Sequence, residues 1–181
     1  LDLRGCAYIT DAGIENLAGL TNLKVLKLRN FGVTDYGLEK LQALKNLKVL
    51  AIEDSDSVTD DGMAYLAGMP GLQDITLMRD GITGDGLANF ADLQNLKRLS
   101  IRGCNGVGSA GLEHLKNRTS LQTLVLSETQ IDDSGLAHLS GLTNLTSLDL
   151  WSTKVTDAGL AHLEPLKALK ILILDDDAIS D

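Results

Sequence analysis

The sequence predicts an α/β solenoid, a curved horseshoe with a parallel β-sheet on its concave face and short helices on its convex face. The six-residue pattern LxxLxL recurs every 24 or 25 residues, with first leucines at positions 23, 47, 72, 96, 121, 145 and 169. A helical pattern, GLxxLxxL, fills the second half of most periods. Leucine must fill the core, because aromatic residues make up only 3% of the 181 residues while hydrophobic residues make up 44%. One such repeat cannot bury a core alone, so the repeats must stack.

The LxxLxL segments are the predicted strands. They read LKVLKL (23–28), LKVLAI (47–52), LQDITL (72–77), LKRLSI (96–101), LQTLVL (121–126), LTSLDL (145–150) and LKILIL (169–174). The opening LDL is the tail of an earlier copy. Successive side chains of a strand point to opposite faces, so the leucines point inward and the residues between them point to the concave face.

The second half of each repeat predicts a short helix. Apolar residues three apart, such as Leu38, Leu41 and Leu44, give the helix one buried face. Thr-Asp often stands just before it, and either side chain offers an oxygen to the free N–H groups of the first turn. We therefore interpret a recurring set of aspartates as helix caps and not as a calcium site: Asp11, Asp35, Asp60, Asp133 and Asp157.

Stacking the repeats predicts the curvature. Strands lie roughly 4.8 Å apart, while the helical side is wider, so the stack bends with the strands inside. We expect one domain over residues 1–181, with about seven repeats and truncated ends. The chain opens without methionine, so we expect it to be a fragment of a longer chain.

These repeats resemble the leucine-rich repeat family over essentially the whole chain. The segments Leu1–Cys6 with Ile9–Asp11, and Ile101–Cys104, resemble its cysteine-containing subtype, and TKVTDAGLAHL (153–163) is similar to long bacterial members. Other residues stand at the cysteine position elsewhere: Phe31, Ser55, Asp80, Thr129, Thr153 and Asp177. The resemblance implies recognition of a protein by a preformed concave sheet.

Residues 106–111 form a literal GxGxxG after a strand, which is the context of a dinucleotide-binding fingerprint. The repeat register offers a simpler interpretation. Gly111 is the glycine that recurs in every repeat, and only Gly106 and Gly108 are peculiar to this one. We therefore predict a loosened loop and no cofactor.

His114, His138 and His162 recur at one position of three successive repeats, yet other repeats carry unrelated residues there. We predict a solvated convex position and no metal. Cys6 and Cys104 lie four repeats apart, about 20 Å by strand spacing, and a disulfide needs Cα atoms within about 7 Å. We expect two small buried thiols, and we find no catalytic motif, so the sequence predicts no enzyme.

The residues that face the concave side vary from repeat to repeat. Arg4, Lys27 and Arg29 form one basic cluster on the early repeats, and a second lies near the middle. The chain's single tryptophan is a residue type enriched in binding hot spots, as is arginine. The full predicted partner-binding set is Arg4, Lys27, Arg29, Met78, Arg79, Arg98, Arg102, Asp149, Trp151 and Asp175. Two alternatives stay open: the arginines keep the face soluble, or the indole packs on its neighbours.

The leading functional hypothesis is a non-enzymatic protein-interaction scaffold. The alternatives are a recognition or regulatory segment of a larger enzyme, such as a ligase component, kinase or GTPase, and a structural spacer that self-associates end to end. A net charge of −9 argues against binding to nucleic acid or an anionic membrane. No apolar run approaches the roughly 18 residues of a membrane span. The sequence does not assign a compartment.

Overall fold

Seven parallel strands lie side by side in chain order and form one sheet in the computed structural model, which describes residues 1–29 and 31–175. Asp2 adds an isolated bridge to Lys27 at the edge of β1. The strands are β1 (Val25–Arg29), β2 (Val49–Glu53), β3 (Asp74–Met78), β4 (Arg98–Ser100), β5 (Thr123–Val125), β6 (Ser147–Asp149) and β7 (Ile171–Ile173). We number the repeats 1 to 8 by their first residues, which are 1, 23, 47, 72, 96, 121, 145 and 169.

Short helices return the chain between strands. The α-helices are α1 (Asp11–Glu15), α2 (Asp35–Leu41), α3 (Asp60–Ala67), α4 (Asp133–Leu136) and α5 (Asp157–Leu160). Helices of the tighter 3-10 form span Asp85–Phe90, Ser109–Leu115, Ala137–Leu139 and Ala161–Leu163. From repeat 4 onward, where the narrower helices occur, isolated parallel bridges such as Thr83 to Gly106 add backbone pairing between repeats.

The strand register stacks the leucines into continuous columns. Leu26 pairs with Leu50, which in turn pairs with Ile75, and the column continues through Leu124 and Leu148. These side chains are fully buried in one core that runs the length of the described repeats. The predicted assignment of the core residues in the strands is therefore confirmed.

Threonines, rather than the aspartates that follow them, cap three of the five α-helices of the described residues, α2, α3 and α5. Thr34 Oγ1 accepts a hydrogen bond from the backbone N–H of Tyr36 at 3.2 Å, and Thr59 Oγ1 accepts one from Asp61 at 3.4 Å. Asp35 is the first helical residue of α2 and does not cap it. Our interpretation of the aspartate series as helix caps is therefore wrong, although the predicted role of the threonines is confirmed.

The aspartates join one repeat to the next. Asp35 accepts two hydrogen bonds from Thr59 of the following repeat, from its backbone N–H to Oδ1 at 2.8 Å and from its hydroxyl to Oδ2 at 2.7 Å. The same two-bond pairing, which we call the Asp–Thr clamp, joins Asp11 to Thr34, Asp60 to Thr83 and Asp133 to Thr156. Ser109 and Asp132 form a related pair with the residue types exchanged. The clamp explains the spacing of the aspartates.

The clamp is missing between repeats 4 and 5, where glycines stand in both of its positions. Gly84 replaces the aspartate and Gly108 replaces the threonine. Gly111 packs directly against this backbone, since a Cβ added to Gly111 would lie 2.5 Å from the Cα of Gly84. A Cβ on Gly106 would lie 2.7 Å from the carbonyl oxygen of Ile82. Close packing between repeats therefore accounts for Gly106 and Gly111 of the GxGxxG segment, whereas a Cβ on Gly108 would meet open space.

Arg118 stands in a column that is otherwise apolar. The same position of the other repeats holds Leu20, Leu44, Met69, Leu93, Leu142 and Leu166. Two guanidinium nitrogens of Arg118, Nε and Nη1, are buried and have no hydrogen-bond partner within the described part of the chain. A buried polar group without a partner lowers stability, because it has lost its hydration.

Removing one clamp should weaken the stack. We expect Asp60→Ala to lower the free energy of unfolding by about 1–2 kcal/mol, because two hydrogen bonds to Thr83 are lost. Asp61→Ala is the matched control, since Asp61 lies in the same first helical turn and makes no bond to the next repeat among the described residues. Urea unfolding measures both variants, and equal losses would show that the clamp contributes nothing beyond helix charge.

Replacing Arg118 by an apolar residue of similar shape should stabilise the chain. We expect Arg118→Met, which copies Met69 of repeat 3, to raise the free energy of unfolding by about 1–2 kcal/mol. Arg118→Lys keeps a cation in the same column and should give no gain. Thermal and urea unfolding test this, and a less stable Met variant would contradict it.

Candidate protein-binding face

Three columns of side chains cover the concave side of the sheet, set by the strand register. The first holds Val25, Val49, Asp74, Arg98, Thr123, Ser147 and Ile171. The second holds Lys27, Ala51, Thr76, Ser100, Val125, Asp149 and Ile173. The third continues at the strand ends with Arg29, Glu53, Met78, Arg102, Ser127, Trp151 and Asp175. Nine of the ten predicted partner-binding residues belong to these columns or, like Arg4, to their continuation in repeat 1.

Arg79 is the exception, because it lies beyond the strand on the rim of the sheet. It follows β3 and has a φ of 55°. The same left-handed conformation recurs one residue beyond the third column, at Asp54, Gly103, Glu128 and Ser152. A left-handed residue turns the chain sharply away from the strand, which places these side chains along one rim.

The two arginines of the early basic cluster are paired with carboxylates. Arg4 bonds to Asp2 at 2.7 Å, and this hydrogen bond lowers the pKa of Asp2 to about 2. Arg29 and Arg79 both bond to Asp54, at 2.6 Å and 2.8 Å. Desolvation raises the pKa of Asp54, but the hydrogen bonds from the two guanidinium groups outweigh it and the net shift is downward. The cluster is therefore a set of ion pairs and not a bare basic patch.

The middle of the face repeats this pairing. Arg98 lies 3.4 Å from the carboxylate of Asp74 and donates to the hydroxyl of Thr76 at 3.1 Å. Lys27 makes no ion pair within the described part of the chain. The second half of the face is less charged, with small residues such as Ser100 and Ser127 nearly buried.

Trp151 packs against a charged pair. The guanidinium of Arg102 lies 5.0 Å from the centre of the indole ring and bonds to Glu128 at 2.6 Å. Arg102 and Trp151 belong to repeats 5 and 7, and they meet because Ser127 between them is small and 1% exposed. Trp151 also donates its backbone N–H to Asp149 at 3.0 Å. Trp151 is half-buried, so the indole both packs on a neighbour and leaves surface for contact.

Sequence reasoning missed the carboxylates that organise these arginines. Asp54 and Glu128 hold Arg29, Arg79 and Arg102, yet neither was predicted as part of the site. The signal was present in the repeat register, because both occupy the position of Gly103, the only glycine with a left-handed φ within the described residues. A glycine at the position that Asp54 and Glu128 occupy in other repeats indicates a turn there.

The column that corresponds to the cysteine of the cysteine-containing subtype lies behind the rim and is buried in repeats 3 to 6. Ser55, Cys104 and Thr129 are at most 2% exposed. Cys104 is buried as predicted, and burial raises the pKa of its thiol to about 12. Cys6 is exposed, so the prediction of a buried thiol there is wrong; its repeat packs against a neighbour on one side only. Asp177 lies outside the described residues.

Asp80 is a buried carboxyl in this column. It is 5% exposed and accepts hydrogen bonds from the backbone N–H groups of Ser55 at 3.0 Å and Met78 at 3.1 Å. Desolvation dominates over these bonds and raises the pKa of Asp80 to about 8. Asp80 also lines an open rim hollow of about 490 Å³ together with Arg79, Asn105 and Glu128.

The three histidines lie on the convex helices. His114 and His162 are exposed and His138 is half-buried, as expected for a surface position. No group of three or more His, Cys, Asp or Glu residues is placed to hold a metal ion among the residues described. Across the same residues, no helix is long and apolar enough to cross a bilayer.

Comparison with known proteins agrees with this geometry. The model "Leucine Rich repeats (2 copies)" matches residues 119–162, and the model "Leucine Rich repeat" matches residues 1–18 and 92–116. Comparison with curated protein sequences finds no significant match. The chain is a leucine-rich repeat solenoid, which confirms both the predicted fold and the resemblance to bacterial leucine-rich repeat proteins.

Two solved structures from Listeria monocytogenes str. 4b F2365 are similar over most of the chain. An internalin (InlF) is 26% identical with a TM-score of 0.77, and the match covers 92% of this chain and 46% of that one. An internalin C2 (InlC2) is 28% identical with a TM-score of 0.79, and the match covers 100% of this chain and 73% of that one. The chain thus spans less than half the length of the first. These similarities favour a protein-interaction scaffold.

Asp80 should make stability depend on pH. Below its unfolded pKa of about 3.8, the carboxyl is protonated in both states. From there to about pH 8 the folded protein keeps a proton that the unfolded chain has released, so the free energy of unfolding falls as pH rises. We expect Asp80→Ser, which copies Ser55, to reduce this fall in the free energy of unfolding by up to about 1 kcal/mol per pH unit.

Urea unfolding from about pH 4 to about pH 9 measures this dependence. The advantage of Asp80→Ser over the wild type should grow with pH and level off above about pH 8. Asp56→Ser removes an exposed carboxylate from the same rim and serves as the control. A constant difference across the pH range would contradict the assignment to Asp80.

Proposed function

We propose that this chain is a non-enzymatic scaffold that recognises a protein partner through its concave face. The observation that carries the proposal is the stacked arrangement of Trp151, Arg102 and Glu128 on an otherwise small-residue surface. Tryptophan and arginine dominate binding hot spots, because they combine large contact area with hydrogen bonding. Within the described residues, this is the one place on the face where both occur in contact.

The arrangement is held in place before any partner arrives. Arg102 is fixed by Glu128 on one side and by the indole on the other. The backbone N–H of Glu128 also bonds to the carbonyl of Trp151 at 2.9 Å, which joins the two repeats directly. Ordering a long side chain on binding costs roughly 0.5–1.5 kcal/mol, and a preordered surface avoids much of that cost.

The shape of the face favours a macromolecule over a small ligand. The hollow over Ala51 at the centre of the early repeats measures about 300 Å³ and is open to solvent. Small-molecule sites enclose most of their ligand, whereas protein interfaces are broad and shallow. Charged residues of both signs surround this hollow. A partner that binds there therefore needs charges of both signs.

Binding without catalysis is the mode of action that we propose. The buried thiol of Cys104, with its raised pKa, is a poor nucleophile at neutral pH. Four arginines of the face, Arg4, Arg29, Arg98 and Arg102, are engaged in ion pairs with carboxylates. Attachment to an enzyme and end-to-end self-association stay predictions from the sequence.

Truncating the tryptophan should weaken partner binding while leaving the fold intact. We expect Trp151→Ala to lower the affinity for the partner by more than about 1 kcal/mol, because a stacked aromatic contact is lost. Tyr36→Ala is the matched control, since Tyr36 is an aromatic residue on the convex side that is 52% exposed.

Affinity capture from a lysate of the source cells, followed by titration of the captured protein, measures the effect. Circular dichroism confirms that each variant is folded. A protein retained by the wild type and by Tyr36→Ala but lost with Trp151→Ala supports the concave face. Equal retention by all three proteins places recognition elsewhere.

A further inference from the structure

Phe31 is an exposed aromatic residue at a position that repeats 3 to 6 bury. It stands in the same column as Ser55, Cys104 and Thr129, which are at most 2% exposed, yet its own exposure is 75%. Its repeat is packed between repeats 1 and 3, so the exposure does not come from a missing neighbour. The column has room only for small side chains, and the phenyl ring lies outside it.

The ring borders a hollow on the rim of the first repeats. This hollow measures about 330 Å³ and is lined by Arg4, Ala7, Arg29, Phe31 and Asp54. The side chains of Arg4 and Arg29 are 42% and 51% exposed, so their guanidinium groups keep hydrogen-bonding capacity toward solvent. An apolar surface thus adjoins two accessible cations.

The charge around the hollow is positive, although the chain as a whole carries −9. Arg29 and Arg79 share the single carboxylate of Asp54. Arg4 forms an ion pair with Asp2 at 2.7 Å and a longer one with Glu53 at 3.7 Å. The lining of the hollow itself holds two cations, Arg4 and Arg29, and one carboxylate, Asp54, which Arg79 also shares.

We propose that the hollow beside Phe31 is a docking site for an extended protein segment in which carboxylates flank an apolar side chain. The apolar side chain packs on Phe31 and Ala7, and a flanking carboxylate bonds to Arg4 or Arg29. Arginine suits this role because its planar group binds a carboxylate through two parallel hydrogen bonds. The inference rests on the proposed function, since it names the chemistry of one part of the partner.

A peptide titration tests the site directly. The probe is an end-capped peptide of sequence GEEFEEG, added to the isotope-labelled chain while backbone amide signals are followed by NMR. We expect saturable shifts at Ala7 and Phe31 with a millimolar Kd, because one small contact supplies little free energy. Peptides GEEAEEG and GKKFKKG should bind at least roughly tenfold more weakly, since each lacks one half of the contact.

Two variants test the residues. Phe31→Ser copies Ser55 of the next repeat and should leave stability unchanged while binding of GEEFEEG falls roughly tenfold. Arg29→Gln should weaken GEEFEEG and GEEAEEG, which both present carboxylates, and should not weaken the residual binding of GKKFKKG. Circular dichroism and urea unfolding confirm that both variants fold.

The outcomes separate this inference from the proposed function. Shifts at Ala7 and Phe31 that vanish in Phe31→Ser and persist in Trp151→Ala support the docking site. The site is refuted by an absence of saturable shifts, by equal binding of all three peptides, or by unchanged binding in Phe31→Ser. Shifts centred on Trp151 that are lost only in Trp151→Ala would also refute it, while upholding recognition by the concave face.

Discussion

The stacked columns of buried leucine are the interaction on which the rest of this molecule depends. Leu50, Leu124 and Leu148 each pack between equivalent residues of the repeats before and after, and all are fully buried. Because an apolar side chain contributes most when it is buried against others of matching shape, the columns fix both the order and the register of the strands. Each remaining position of the repeat then also lines up with its equivalents and forms a column.

The polar connections between repeats follow from that register. An aspartate in one repeat meets a threonine in the next because the leucine columns hold the two at a fixed offset. Where the aspartate is absent, at Gly84, the backbone of the neighbouring repeat occupies the space itself. The convex side therefore has two ways to close a junction, a bidentate clamp or direct backbone contact, and the sequence of each repeat selects between them.

Periodicity predicted the backbone well and the direction of single side chains poorly. The repeat register placed Gly111 and Cys104 correctly, since both follow from stacking alone. It marked a turn at Glu128 through the equivalent Gly103, but it could not show that the Glu128 side chain reaches an arginine. Nor could it show that Phe31 lies outside its column, because that depends on the volume its neighbours leave. Such outcomes are set by local sterics, which the repeat does not encode.

The stacked repeats set the distance between the two proposed aromatic contacts, Phe31 and Trp151. Phe31 and Trp151 belong to repeats 2 and 7, so five strand spacings, about 24 Å, separate the two aromatic contacts. An extended segment spans that distance with roughly seven residues, since each adds at most about 3.3–3.6 Å. We infer that a partner that uses both proposed contacts presents its two anchors about 24 Å apart, on an extended segment or on a folded surface.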